Sequence, residues 1–258
     1  MAILEIQKVD LAAICYLNKE RYPFLLESVN HNENNRYSIL FAFPQESIVL
    51  HEFSDFDFLN KLDDSCIQKD IDLGIPFTGG WFVYLSYELI GQIEPKLASK
   101  HQKSNLPIAY AVKMPTAIYI DHELSKTFIY DEDSDISRIN QILSDIKILN
   151  KIPNVTINGD ISEENEKKFI QGVNSSLDYI FAGDVFQVNL SRKWSFDLSS
   201  NLDSAIIYNK LKKTNPAPFS ALIQYENFSI TNKAVHFNDC PFSISFIKSF
   251  INVCDNSA

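Results

Sequence analysis

The sequence predicts an α+β fold built on largely antiparallel sheet. Three observations carry this. Short apolar, strand-like runs separated by polar turns dominate as far as Tyr130. Helical spacing is grouped after that point. The regular strand–helix alternation of a parallel sheet is missing.

The elements follow in order. Phe24-Leu25-Leu26 and Ile39–Phe43 read as buried strands, the second stopped by Pro44. His31–Asn35 between them has turn chemistry. Phe56–Leu62 is too short to assign. Thr78-Gly79-Gly80 opens an aromatic run, Trp81–Tyr87, that reads as a core strand, with Trp81, Tyr84 and Tyr87 in the core. The glycine pair lets backbone pass close to another element. Residues 98–107 are polar and form a surface loop. Ala117–Ile120 and Thr127–Tyr130 flank Asp121-His122-Glu123 as a hairpin.

Ile139, Leu143 and Ile146 give residues 136–146 helical spacing. A longer helix starts after Ser162 as N-cap, with Glu163 and Glu164 at its positive end. Phe169, Val173, Leu177 and Ile180 form its apolar stripe, and Gly183 its C-terminal cap. Val185–Trp194 then alternates as a strand, with Phe186, Val188 and Leu190 on one side. Gln187, Asn189 and Ser191 form the other side. That side reads as a solvated face in preference to one lining an active-site cavity, because no titratable catalytic group accompanies it. A helix over Leu202–Lys213 ends at Asn215-Pro216, and Phe219–Ile223 with Phe228–Ile230 form a second hairpin.

The chain has 258 residues, of which 45% are hydrophobic and 22% charged, and a formal charge of -10. An acidic balance excludes nonspecific nucleic-acid binding, which needs a basic footprint. No apolar run approaches the ~18 residues of a membrane span, and the N-terminus reads as mature sequence. A cytoplasmic location is expected, with Cys15, Cys66, Cys240 and Cys254 as free thiols. The five histidines are dispersed, so a zinc site is not expected. With only seven glycines, neither GxGxxG nor GxxxxGK[ST] occurs, and GxSxG and HExxH are likewise absent.

Four segments carry a resemblance: Leu25-Leu26-Glu27-Ser28, Pro76–Leu97, Ala182–Trp194 and Asn215–Leu222. In this order they resemble the N-terminal part of the chorismate-utilising enzymes, the large subunits of anthranilate synthase and aminodeoxychorismate synthase. Gln187-Val188-Asn189-Leu190, Pro216–Ala221 and Tyr87-Glu88-Leu89 are similar to the aminodeoxychorismate, or para-aminobenzoate, branch. The resemblance covers about residues 5–230. It implies an anthranilate synthase component I-like fold of stacked antiparallel sheets with flanking helices. It also implies the reaction of chorismate and ammonia to 4-amino-4-deoxychorismate for folate. A partner glutamine amidotransferase supplies the ammonia, and magnesium holds the chorismate carboxylate.

Some family members hold L-tryptophan. The resemblance assigns that pocket to Ser28, Arg36, Tyr37, Phe219, Ser220 and Ala221, with Asn34 and Asn35 departing from the usual Tyr-Ser. Hydroxyls and backbone groups suit an amino acid's charged ends, and aromatics an indole. The alternative for Ser28 and Ser220 is a polar side chain satisfied at a strand end.

The family's Ser-Pro-Glu-Arg, Lys-Gly-Thr, Arg-Asn-Asp and Ala-Pro-Lys segments carry its catalytic groups and magnesium carboxylates. None occurs in this sequence. Residues 1–230 are therefore read as the N-terminal part of the fold, and 231–258 as a tail of non-family, out-of-frame character. The reading is a truncated aminodeoxychorismate synthase component I without catalytic or metal residues, inactive alone and with apolar faces left uncovered. Its rivals are a tryptophan-binding module, half of a split enzyme, and a truncated anthranilate synthase component I.

Overall fold

The computed structural model describes residues 1–28, 36–53, 57–66, 73–100, 106–190, 192, 194–198, 202–214, 216, 219–225, 228–234 and 251–254. The expected loop at His31–Asn35, with Asn34 and Asn35, lies outside the described residues. So do residues 101–105 of the polar loop, Ser191, Asn215, Ala217 and Pro218. The chain forms two compact units, Met1–Leu26 with Arg36–Lys151, and Glu27–Asn35 with Ile152–Ala258.

The first unit begins with β1 (Ala2–Ile6), α1 (Leu11–Leu17), β2 (Phe24–Glu27, of which Leu26 is the last residue in this unit) and β3 (Tyr37–Ala42). β4 (Ser47–Leu50), α2 (Phe58–Ser65), β5 (Gly80–Leu85) and a 3-10 turn at Tyr87–Leu89 follow. Next come the single helical turn α3 (Ile90–Ile93), β6 (Ala109–Met114), β7 (Thr116–Asp121), β8 (Lys126–Asp131) and α4 (Ile136–Lys147). Strands β1-β8-β7-β3-β2 make one antiparallel sheet and β4-β6-β5 a second.

Aromatic rings hold the two sheets face to face. Phe24 of β2 stacks on Phe82 of β5, with centroids 4.0 Å apart and planes 7° from parallel. Phe41 meets Phe82 edge-on at 5.5 Å and Tyr110 stacks on Phe24 at 6.2 Å, while Tyr84 and Tyr110 stack within the second sheet at 5.0 Å. Such pairs add about 0.5–1.5 kcal/mol each beyond area burial. The expected α+β class with stacked antiparallel sheets is thus present. Phe58 of α2 and Trp81 pack with Ile48, Leu50 and Ile108 in a further core cluster of this unit. Trp81 and Tyr84 are half-buried as core residues, but Tyr87 is 85% exposed. The chain leaves the sheet after Leu85, and the 3-10 turn buries Leu89 in its place.

The glycine pair works as expected at Gly79. Its φ is +86°, and a Cβ there would run into the Glu132 carboxylate. The β7–β8 hairpin forms as predicted, and α4 covers the predicted 136–146. Asp10 caps α1 through Ala12 N (3.1 Å), and Asp135 caps α4 through Ser137 N (2.8 Å).

The second unit contains β9 (Gly159–Glu163), α5 (Glu166–Ala182), β10 (Trp194–Leu198), α6 (Ser204–Thr214), β11 (Phe219–Tyr225), β12 (Phe228–Ala234) and β13 (Ile251–Cys254). β9 pairs with β10, β11 with β12, and β12 with β13, all antiparallel. β12 runs past Ile230 to Ala234, and Thr231 is buried. Two expectations change here. Ser162 lies in β9, opposite Ser195, and Asn165 caps α5 in its place, accepting from Lys167 N at 2.9 Å. Val185–Leu190 is not a strand, and Phe186 is 95% exposed. Strand pairing goes to Trp194–Leu198, because a strand needs a partner ladder and β9 supplies one there. Gly183 does cap α5, in the left-handed region at φ 79°.

One buried carboxylate ties α4 to the loop after α1. Asp145 accepts from Tyr22 Oη (2.6 Å), an Arg21 guanidinium nitrogen (2.5 Å) and Gln141 Nε2 (3.0 Å). Burial pushes the Tyr22 phenol well above its ordinary pKa, and Asp145 adds to this, so Tyr22 remains a donor. Asp145→Ala should destabilise the chain by about 2–4 kcal/mol, because it strands a buried phenol and a half-buried guanidinium. Urea denaturation checks this. A loss below about 0.5 kcal/mol would show that these groups find other partners.

Candidate functional site

Arg36 and Tyr37 sit at the start of β3 in the first unit. The Arg36 guanidinium grips Asp121 with Nε at 3.1 Å from both carboxylate oxygens and Nη2 at 2.7 Å from Oδ2. Glu123 lies 3.1 Å from Nε, and the guanidinium carbon stands 4.9 Å from the Tyr37 ring centroid. Asp121 also accepts from Glu123 N (3.0 Å) and Leu124 N (3.1 Å), which closes the β7–β8 turn. Burial raises the Asp121 pKa, but Arg36 and these two backbone donors outweigh it, so the carboxyl titrates below its ordinary value. The Asp121 hydrogen bond, opposed by burial, holds the Arg36 proton more firmly than usual. Tyr37 is raised by burial and then by Asp121. The sequence had identified Asp121 and Glu123 only as turn residues; they are the counter-ions of Arg36.

Next to this cluster Ser38 Oγ lies 2.7 Å from His122 Nε2. Ser38 is fully buried, so the contact fastens β3 to the β7–β8 turn and presents no nucleophile.

The remaining candidates belong to the second unit. Ser28 is buried, one residue beyond Glu27. Glu27 accepts from Tyr208 Oη (2.8 Å) and Lys212 Nζ (2.6 Å), both on α6. Phe219 opens β11 half-exposed, and Ser220 behind it is 4% exposed. Strand alternation puts Ser220, Leu222 and Gln224 on one face of β11, and the register sets Thr231 opposite Leu222. Gln224 Nε2 donates to Ser204 Oγ of α6 at 2.6 Å. The oxygens Ser220 Oγ, Gln224 Oε1 and Thr231 Oγ1 are buried with no hydrogen-bond partner among the described residues. An unpaired buried polar group costs about 1–3 kcal/mol. A row of three on one face is what a strip that takes a polar ligand or ordered water presents. Ser220 was visible in the sequence through its motif. Gln224 and Thr231 were not, although a glutamine and a threonine on an apolar hairpin were the available signal.

The dispersed acidic residues and histidines give no group of three that could hold a metal ion among the described residues. No helix there is long and apolar enough to cross a membrane. Cys15 is buried and Cys66 exposed, and neither is in a disulfide among the described residues.

A model of the chorismate binding enzyme family matches residues 21–232, most of the chain and both units. The chain belongs to the chorismate binding enzymes. An anthranilate synthase component I-like protein of Synechocystis is 27% identical over 218 residues, covering 81% of this chain and 44% of the relative. A probable chloroplastic aminodeoxychorismate synthase of rice is 29% identical over 215 residues, covering 67% and 24%. The crystal structure of anthranilate synthase component I from Streptococcus pneumoniae superposes with a TM-score of 0.62 at 20% identity, covering 81% of this chain and 52% of that one. The chain thus spans about half the length of the bacterial relatives it matches.

The Arg36–Asp121 pair makes stability pH-dependent. With its folded pKa below the ordinary value, Asp121 stabilises the chain fully above about pH 3.9, and the contribution is lost as pH falls through the lower folded value. Asp121→Asn should flatten that acid limb in urea midpoints taken from about pH 7 to about pH 3. Parallel loss in wild type and variant would assign the limb to other carboxylates.

Proposed function

We propose that this chain is the N-terminal half of a chorismate-utilising enzyme of the aminodeoxychorismate kind. The whole enzyme would convert chorismate and ammonia to 4-amino-4-deoxychorismate, with magnesium on the chorismate carboxylate and ammonia from a glutamine amidotransferase partner. The family's catalytic and metal-binding segments do not occur in these 258 residues, so no step of that reaction is assigned to a residue here. The aminodeoxychorismate branch is favoured by Gln187–Leu190 and Pro216–Ala221 and by the likeness to the rice protein. The names of the Synechocystis and Streptococcus proteins favour a second reading, the corresponding half of an anthranilate synthase.

The function this half carries by itself is binding of an amino acid, L-tryptophan. One observation carries this reading. The Ser220 hydroxyl is buried with no hydrogen-bond partner among the described residues, in the segment that resembles the family's tryptophan pocket. A ligand ammonium or carboxylate would satisfy it, on the face of β11 that Ser220 shares with Leu222 and Gln224.

Two outcomes are expected. Purified chain with chorismate, ammonium and magnesium forms neither aminodeoxychorismate nor anthranilate above a no-protein control, and turnover would overturn the half-enzyme reading. Millimolar L-tryptophan raises the melting temperature, by the equivalent of about 2.7 kcal/mol at a hundredfold excess over Kd. L-phenylalanine does less. Ser220→Ala leaves the ligand-free melt unchanged or higher, since it deletes an unpaired hydroxyl, yet loses the tryptophan shift. A cooperative melt indifferent to tryptophan in the wild type excludes the site.

A further inference from the structure

The first unit holds a small cavity of about 210 Å³ where the starts of β4 and β5, the end of β6 and the residue after β8 meet. Its walls are Glu46, Thr78, Gly79, Gly80, Lys113 and Glu132, with Ser65 of α2 closing one side. Backbone bonds fix these walls. Gln45 N donates to Lys113 O and Lys113 N to Glu46 O, both at 2.9 Å, so two residues face one across the strands, as in a β-bulge. Glu132 N donates to Pro115 O at 2.9 Å, and the Thr78 carbonyl accepts from Tyr130 Oη at 3.0 Å. Both glycines have positive φ, +86° at Gly79 and +138° at Gly80. Gly79 makes room for the Glu132 carboxylate. A Cβ at Gly80 would meet nothing within 4 Å, so there bare backbone lines open space.

The charges of the walls do not cancel. Lys113 Nζ lies 3.3 Å from Glu132 Oε2, on a side chain only 11% exposed, and that pair neutralises itself. The Ser65 hydroxyl is spent on Lys61 O at 2.8 Å. The Glu46 carboxylate forms no ion pair among the described residues, and the Thr78 hydroxyl forms no hydrogen bond there. One carboxylate and one hydroxyl oxygen are thus left as acceptors over a pre-formed floor, and they suit a cation that carries N–H donors. A metal ion fits poorly. No group of three metal-ligating side chains occurs among the described residues, and an ammonium already sits in the cavity. A zwitterionic amino acid also fits poorly, because Lys113 is taken and the ligand carboxylate would meet Glu46. Sites for drug-sized ligands run to about 300–1,000 Å³, so the occupant is small. We propose that this cavity binds a small primary amine as its ammonium ion, with Glu46 as counter-ion and Thr78 Oγ as a second acceptor.

The test is a titration of the full chain with ethylammonium chloride, read on the backbone amide signals of Gly79 and Gly80. So few heavy atoms limit the affinity, and saturation is expected at roughly millimolar concentrations. Sodium chloride and tetramethylammonium chloride at the same ionic strength leave both signals in place, since neither cation has an N–H to donate. Glu46→Gln, at an exposed position, leaves the melting temperature unchanged and weakens binding by about tenfold or more. Thr78→Val, which keeps the side-chain shape, weakens it by about threefold or more. Glu94→Gln, an exposed carboxylate outside the cavity, changes nothing. Three results overturn the proposal. One is no saturable shift up to about 100 mM ethylammonium. Another is an equal shift with tetramethylammonium or sodium, which would reveal a general salt effect. The last is unaltered affinity in both the Glu46 and Thr78 variants.

Discussion

The parallel stack of Phe24 on Phe82 is the contact on which the first unit depends. It joins a strand of the five-stranded sheet to a strand of the three-stranded one, and Phe41 and Tyr110 close around it. Both ring-bearing residues are buried, and each lies in a strand whose register fixes its neighbours. Loss of this contact would remove the closest aromatic stack between the two layers. The Arg36–Asp121 grip is built on the same sheet. Pairing of β3 with β7 sets Tyr37 opposite Asp121, which brings the arginine within reach of the turn carboxylates.

Much of this was legible in the sequence where the deciding interactions are local. The Asp121–Glu123 turn lies between two apolar runs, and Gly183 after a periodic stripe marks a helix end wherever the rest of the chain goes. Elements decided by distant pairing were not legible. Ser162 has the chemistry of a cap, yet β9 claims it because Trp194–Leu198 returns to pair with it. Val185–Leu190 alternates like a strand, but alternation does not supply a ladder partner. Tyr87 has the composition of a core residue and sits where the backbone turns out of its sheet.

The candidate site divides the same way. Motif resemblance pointed to Ser220. The unpaired oxygens that give the position its chemistry include Gln224 and Thr231, and only the β11–β12 register aligns them. Arg36 likewise was visible, while its counter-ion Asp121 lies 85 residues away in sequence and emerges only with the sheet.

The anchoring of Glu27 has a consequence for the order in which the chain folds. The first unit finds all of its residues within the stretch that ends at Lys151. The second unit borrows Glu27, whose partners Tyr208 and Lys212 follow it by 181 and 185 residues. At about 5–20 residues per second of synthesis, that carboxylate waits roughly ten to forty seconds for its hydroxyl and ammonium. Closing so long a loop also makes it a slow contact in refolding from denaturant. The first unit can therefore be complete on the ribosome while the second is still an open chain.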